Sequence, residues 1–262
     1  MISLPIPILL GWALGYVVNY FADVLPTTRR LAWPACPHCG NRYALADYLS
    51  VRSCRQCGKK RSLRTWSVLL LMAAGSAYLW SNPPAKLGFA FSAVLLTYFA
   101  TVFVIDMEHR LILHVTSIAG AALGLAAGWL SRGIVPALLG GLAGFVIMLA
   151  FYYLGVLFSR WRARRLKAAG QFADDEEALG AGDVILGGIL GLALGWPLIW
   201  FGLFLGILLG GAYAILLVVY MFVTRQIKGR ALMIFMPYGP FFILSAFFII
   251  FLPHLVLNVV PK

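Results

Sequence analysis

Eight apolar runs dominate this chain of 262 residues, most of them near the ~20 residues an α-helix needs to cross the hydrocarbon of a bilayer. They extend from Pro5 to Ala22, Trp66 to Trp80, Leu87 to Ile105, Ile112 to Leu130, Ile134 to Phe158, Val184 to Leu194, Leu198 to Val223 and Ala231 to Leu257. The run from Val184 is short and stops at the breaker Gly195-Trp196-Pro197. Hydrophobic residues make up 62% of the chain and charged ones 11%, against about 45–50% and about 25% in soluble domains. The expected fold is therefore an all-α polytopic membrane protein with about eight transmembrane helices. No basic residue precedes the first run, whereas a secretory signal peptide starts with a charged stretch. That run reads as a retained helix.

Charge sets the orientation, because Lys and Arg near span ends favour the cytoplasm. With the N-terminus outside, the inner segments are Asp23 to Thr65, Asp106 to Leu111, Ser159 to Asp183 and Thr224 to Arg230, and they hold 18 of the 21 basic residues. Only Lys86, Arg132 and Lys262 fall outside them. The net charge of +12 is thus a topology signal, with the lipid bilayer as partner and no nucleic acid.

Between the first two runs lies the one substantial soluble segment, with Cys36-Pro37-His38-Cys39 and Cys54-Arg55-Gln56-Cys57. Two Cys-x-x-Cys knuckles about 15–20 residues apart can offer four thiolates tetrahedrally to zinc. Two disulfides are the alternative, and they are rare in the reducing compartment that the charges predict. Four protein ligands leave no open position, so Cys36, Cys39, Cys54 and Cys57 are expected to hold a structural ion whose binding folds the loop. His38 reads as a solvent-facing loop residue.

The chain has nine acids: Asp23, Asp47, Asp106, Glu108, Asp174, Asp175, Glu176, Glu177 and Asp183. Asp174 to Glu177 read as a solvated run, Asp47 as an ordinary loop residue and Glu108 as solvated. Asp106 and Asp183 differ, because one ends the apolar "TVFVID" and the other opens "DVILGGIL". Ionisable groups at membrane boundaries are costly and are candidates for function. Each has a structural alternative: Asp183 as a helix N-cap, Asp106 as partner of Arg110 one turn later. As a pair at matching depth they suit acid–base chemistry. Two adjacent carboxyls cannot both ionise readily, so one keeps a proton while the other stays anionic. Gly180 and Gly182 would let backbone approach and adopt dihedrals closed to other residues.

These residues resemble the type IV prepilin peptidases, membrane aspartic proteases of the Gly-x-Gly-Asp class. Gly15, Asn19 and Pro26 stand in the first helix, the four cysteines follow, and Ile105-Asp106, Gly180 to Asp183 and "MPYGPFF" at Met236 to Phe242 complete the order. The resemblance implies cleavage of leader peptides from prepilins or pseudopilins at the cytoplasmic face of a bacterial inner membrane, with Asp106 and Asp183 as the catalytic pair. It also implies N-methylation of the new terminus in many members, with S-adenosylmethionine as a possible second cofactor beside zinc. The implied organisation is a first helix over 1–23, a zinc module over 24–65 and a peptidase core over 66–262. Leu113 and His114 replace a Pro and an Asp of the family pattern, Ile185 replaces a Lys, and Leu69 replaces an acid near the second span. The competing readings are a pilin-binding paralogue without catalysis and a cation or proton transporter built on the boundary acids.

Overall fold

The computed structural model describes residues 5–168, 180–224 and 237–256. The acidic run Asp174 to Glu177, the basic segment 225–230, Met233 and Met236 lie outside the described residues. Ten helices are described: α1 (Pro5–Thr28), α2 (Leu45–Leu49), α3 (Leu63–Ser81), α4 (Gly88–His109), α5 (His114–Arg132), α6 (Ile134–Ala168), α7 (Ala181–Leu194), α8 (Leu198–Val223), α9 (Gly239–Phe251) and α10 (Pro253–Val256). Among the described residues no strand forms, and the isolated bridge between Ala35 and Arg42 is the β pairing present.

Each apolar run has a helix among its described residues, yet four of the described helices are long and apolar enough to cross a membrane: α1, α4, α6 and α8. The expected count of about eight exceeds this for physical reasons. With 14 and 13 residues, α7 and α9 are about 20 Å long at ~1.5 Å per residue, short of the ~30 Å hydrocarbon thickness. α3 and α5 reach 19 residues each, and each spends its first turn on polar groups such as Arg64 and Thr65 or His114 and Thr116.

The chain divides into two compact units, Met1–Thr116 and Ser117–Lys262. In the first, α1, α3 and α4 pack around Val18, Leu69, Leu79, Leu95 and Ile105, all fully buried. Gly11 makes the approach of α1 to α3 possible, since a Cβ there would lie 2.4 Å from the Met72 carbonyl oxygen. Asn19, with 0% exposure, donates to the carbonyls of Gly15 at 3.0 Å and Thr65 at 3.3 Å. A buried amide is thereby spent on tying α1 to the start of α3.

In the second unit α6 and α7 meet backbone to backbone. A Cβ on Gly191 would lie 2.1 Å from the Gly140 carbonyl oxygen, and one on Gly144 would lie 2.2 Å from that of Gly187. Small residues allow such approach where lipid offers no hydrophobic drive. α8 and α9 also pack on α7, so Leu186, Leu190 and Leu194 are buried. A helix enclosed in this way need not be long enough to span lipid. α8, by contrast, exposes Phe204, Leu208, Ile215 and Leu216, an apolar face suited to acyl chains.

Candidate active site and metal-binding module

Asp106 lies in the last turn of α4 and is 4% exposed. The helix ends three residues later at His109, and the next residue, Arg110, turns the chain with a left-handed backbone (φ 52°) while its N–H donates to the Asp106 carbonyl at 2.9 Å. A left-handed cap of this kind usually carries Gly, so the turn is specified here by its surroundings. The linker Arg110 to Leu113 then enters α5, where the Thr116 hydroxyl donates to the Leu113 carbonyl at 2.8 Å. A cavity of about 230 Å³ opens between this linker and the end of α1, lined by Leu25 and Arg29 on one side and Leu111, Ile112, Leu113, His114 and Val115 on the other. Leu113 and His114, where the chain departs from the pattern it resembles, belong to that wall.

Asp183 is the third residue of α7 and not its N-cap. The cap is Gly180, whose N–H points back to Asp183 Oδ2 at 3.4 Å. The carboxylate therefore sits inside the first turn, where the helix dipole favours negative charge. The freedom expected of Gly180 is not used: its φ of −80° and ψ of 149° suit any residue, and an added Cβ would meet nothing closer than 3.9 Å. Gly182 follows as a helical residue of the same turn. Asp106 belongs to the first compact unit and Asp183 to the second.

The cysteine module repeats one local structure twice. In each knuckle the glycine after the second cysteine has positive φ, 71° at Gly40 and 68° at Gly58. Its N–H returns to the carbonyl of the first cysteine, at 2.9 Å for Cys36 and 2.8 Å for Cys54. The turns aim the sulfurs together: Cys36 and Cys57 Sγ are 3.7 Å apart, Cys39 and Cys54 Sγ 3.6 Å, and all four lie within 4.8 Å of one another. A tetrahedron with metal–sulfur bonds of ~2.3 Å has edges of about 3.8 Å, so the donor set fits a metal such as zinc. The cysteines are free of disulfides, and His38 is exposed.

The electrostatics of the module agree with a cation site. Burial works against ionising Cys36, but the N–H groups of Cys39 and His38 pull it down to about 6. Cys39 receives the Asn41 N–H, yet burial and the neighbouring sulfurs push it up to about 12. Like charges this close resist joint ionisation, and a bound cation removes that conflict.

The sequence reading missed the polar cluster beside the module. Asp23, near the end of α1, accepts from the Tyr48 hydroxyl at 2.8 Å, from Arg61 Nη2 at 2.9 Å and from Arg64 Nη2. Arg61 stacks over the Tyr48 ring at 4.5 Å and the Tyr43 ring at 5.4 Å. Burial pushes the Tyr48 phenol up, and the Asp23 carboxylate adds to this. Burial opposes the Arg61 charge, but Asp23 outweighs it and raises the guanidinium further. One acid needs correction: Asp47 is buried within α2 and pairs with Arg55 at 2.6 Å. Glu108 is exposed, as expected, and in addition lies 3.3 Å from Arg64 Nε. Asp23 stands one helical turn after Asn19, and this i, i+4 spacing of polar residues in an apolar helix was the available signal.

Residues 93–215 match the model of the type IV leader peptidase family. Over that stretch the chain is similar to that family. The matched stretch runs from α4 into α8 and contains both Asp106 and Asp183. Proteolysis is the general activity of the family that this stretch resembles. No curated protein and no solved structure gave a match.

Proposed function

We propose that the protein is a membrane aspartic endopeptidase that removes the leader from type IV prepilins or pseudopilins, with Asp106 and Asp183 as its catalytic pair. One observation carries this reading: a single family match encloses both aspartates that stand at the ends of apolar helices. In the proposed reaction the two carboxyls come together sharing one proton. The anionic member takes a proton from water as its oxygen adds to the scissile carbonyl, and the protonated member donates to the carbonyl oxygen. Collapse of the tetrahedral adduct breaks the C–N bond, and the departing amine takes a proton from the pair. The cavity beside Leu113 and His114 offers an apolar wall to substrate close to the Asp106 turn.

The basic segments favour the cytoplasmic side of a bacterial inner membrane for the module and the catalytic pair, with the N-terminus outside. Zinc on the four cysteines would act structurally, and residues 66–262 would form the peptidase core. The place where the resemblance expects an acid is filled by Leu69, buried against α1, which weighs against methyl transfer.

Co-expression with a prepilin, with the product's N-terminus read by mass spectrometry, tests this reading. Wild type should release a shortened chain; Asp106→Asn and Asp183→Asn should leave the precursor intact while inserting normally. Full cleavage by either variant refutes the pair, and a mass gain of one methyl on the product would restore the second activity.

A further inference from the structure

The cluster on Asp23 joins four pieces of the first unit. Its Oδ2 serves the module, through Tyr48 and Arg61; its Oδ1 serves α3, through Arg64. Arg64 then reaches α4, its Nε lying 3.3 Å from Glu108 Oε1. Glu108 is two residues beyond Asp106, in the same last turn. The charges balance, two arginines against two carboxylates, and the side chains of Arg61, Asp23 and Arg64 are only 8%, 14% and 18% exposed. Tyr43 and Tyr48 in turn pack with Cys36 and Cys54 in the small core of the module.

We propose that Arg64 is a positioning residue that conveys the metal-dependent fold of the cysteine module to the last turn of α4. With the module folded, Tyr48 and Arg61 occupy Oδ2, so Arg64 meets Asp23 through one nitrogen and keeps Nε for Glu108. A segment this small depends on its metal for folding. When the metal leaves, Oδ2 loses both donors. Arg64 then gains more by gripping Asp23 with two parallel N–H bonds, the geometry a guanidinium and a carboxylate prefer, and Nε leaves Glu108. The last turn of α4 loses its tether. The consequence for cleavage rests on Asp106 being catalytic; the coupling itself does not.

Amide hydrogen exchange on the full-length protein in lipid nanodiscs, with zinc or with EDTA, tests the coupling without an activity readout. On metal removal, residues 45–49 should lose protection. Residues 105–109 should exchange up to about fivefold faster, the equivalent of one partly exposed ion pair, and mid-α4 should not change. In Arg64→Gln the last turn should exchange fast with or without zinc. Glu108→Gln, which leaves the module's own contacts intact, should do the same, while Arg64→Lys, with one point charge and no fork, should not restore metal sensitivity. A last turn that stays protected while the module opens overturns the proposal. So does a module that stays protected without metal, or metal sensitivity that survives in Arg64→Gln. If exchange responds as expected and cleavage does not follow it, the coupling stands and the catalytic assignment of Asp106 falls.

Discussion

Replacing Gly191 by Ala probes the contact that holds Asp183's helix in place. The new Cβ would lie 2.1 Å from the Gly140 carbonyl oxygen, 2.8 Å from its carbon and 3.0 Å from Gly141 Cα. All three are backbone atoms, so no side chain can rotate away. Ordinary contact begins near 3.4 Å, and the helices must separate by more than 1 Å or shear along one another. Overpacking of this kind costs up to about 3 kcal/mol, roughly a hundredfold in the folding equilibrium. The control is Gly211→Ala in α8, where nothing lies within 4 Å; it should be neutral or gain up to about 1 kcal/mol from helix propensity. Reversible unfolding in mixed micelles titrated with SDS measures both. Displacing a catalytic group by about 1 Å can cost about a hundredfold in rate, so prepilin cleavage should fall in Gly191→Ala even in its folded fraction. Equal stability of Gly191→Ala and wild type would refute the backbone-to-backbone packing of α6 and α7.

Chelating the metal, or changing Cys36 to Ala, should open residues 24–65 to protease and leave the apolar helices resistant; unchanged fragment patterns would count against metal-dependent folding. Tyr48→Phe keeps the ring over Arg61 and removes the hydroxyl, so it should cost about 1 kcal/mol in the thermal stability of the module. The folded-state pKa of Tyr48 is raised above its ordinary value of 10, so its contribution is complete below that pH and is lost as pH rises through the folded value. Tyr48→Phe should therefore flatten the strongly alkaline end of a stability profile and leave neutral behaviour parallel to wild type. Asn19→Leu removes the tie to Thr65 and must fit a branched side chain at a fully buried site, at a cost of about 2 kcal/mol, read as a lower midpoint in the same SDS titration. Glu108→Gln should lower kcat for cleavage without abolishing it, in contrast to Asp106→Asn.

Helix positions were legible because apolar runs of this length have few other ways to satisfy themselves, and each run matched a helix among its described residues. Span number was less legible. Length decides whether a helix can reach across lipid, but burial decides whether it must, and the enclosure of α7 by three neighbours depends on glycines far apart in sequence. The four sulfurs were legible from spacing alone, because each knuckle is a local turn closed by its own glycine. The structural alternative for Asp183, a helix N-cap, falls three residues from the actual cap at Gly180, a shift typical of helix ends. The burial of Asp47, the ion pair of Glu108 and the Asp23 cluster were missed because charge counting treats an arginine as topogenic whether or not it is paired, and the partners lie from 8 to 44 residues away in the chain.

That double use of arginine bears on which acid does chemistry. Within the matched stretch the described acids are Asp106, Glu108 and Asp183. Glu108 is the natural substitute for Asp106 in a catalytic pair, being only two residues away. Yet two residues turn an α-helix by about 200°, so the two side chains face different ways: Asp106 is buried in the unit, and Glu108 is directed to Arg64 at the rim. The Glu108 carboxylate is engaged by Arg64 Nε at 3.3 Å. That pairing gives Glu108 a supporting contact on one side of the turn, distinct from the buried Asp106 proposed above for the catalytic pair.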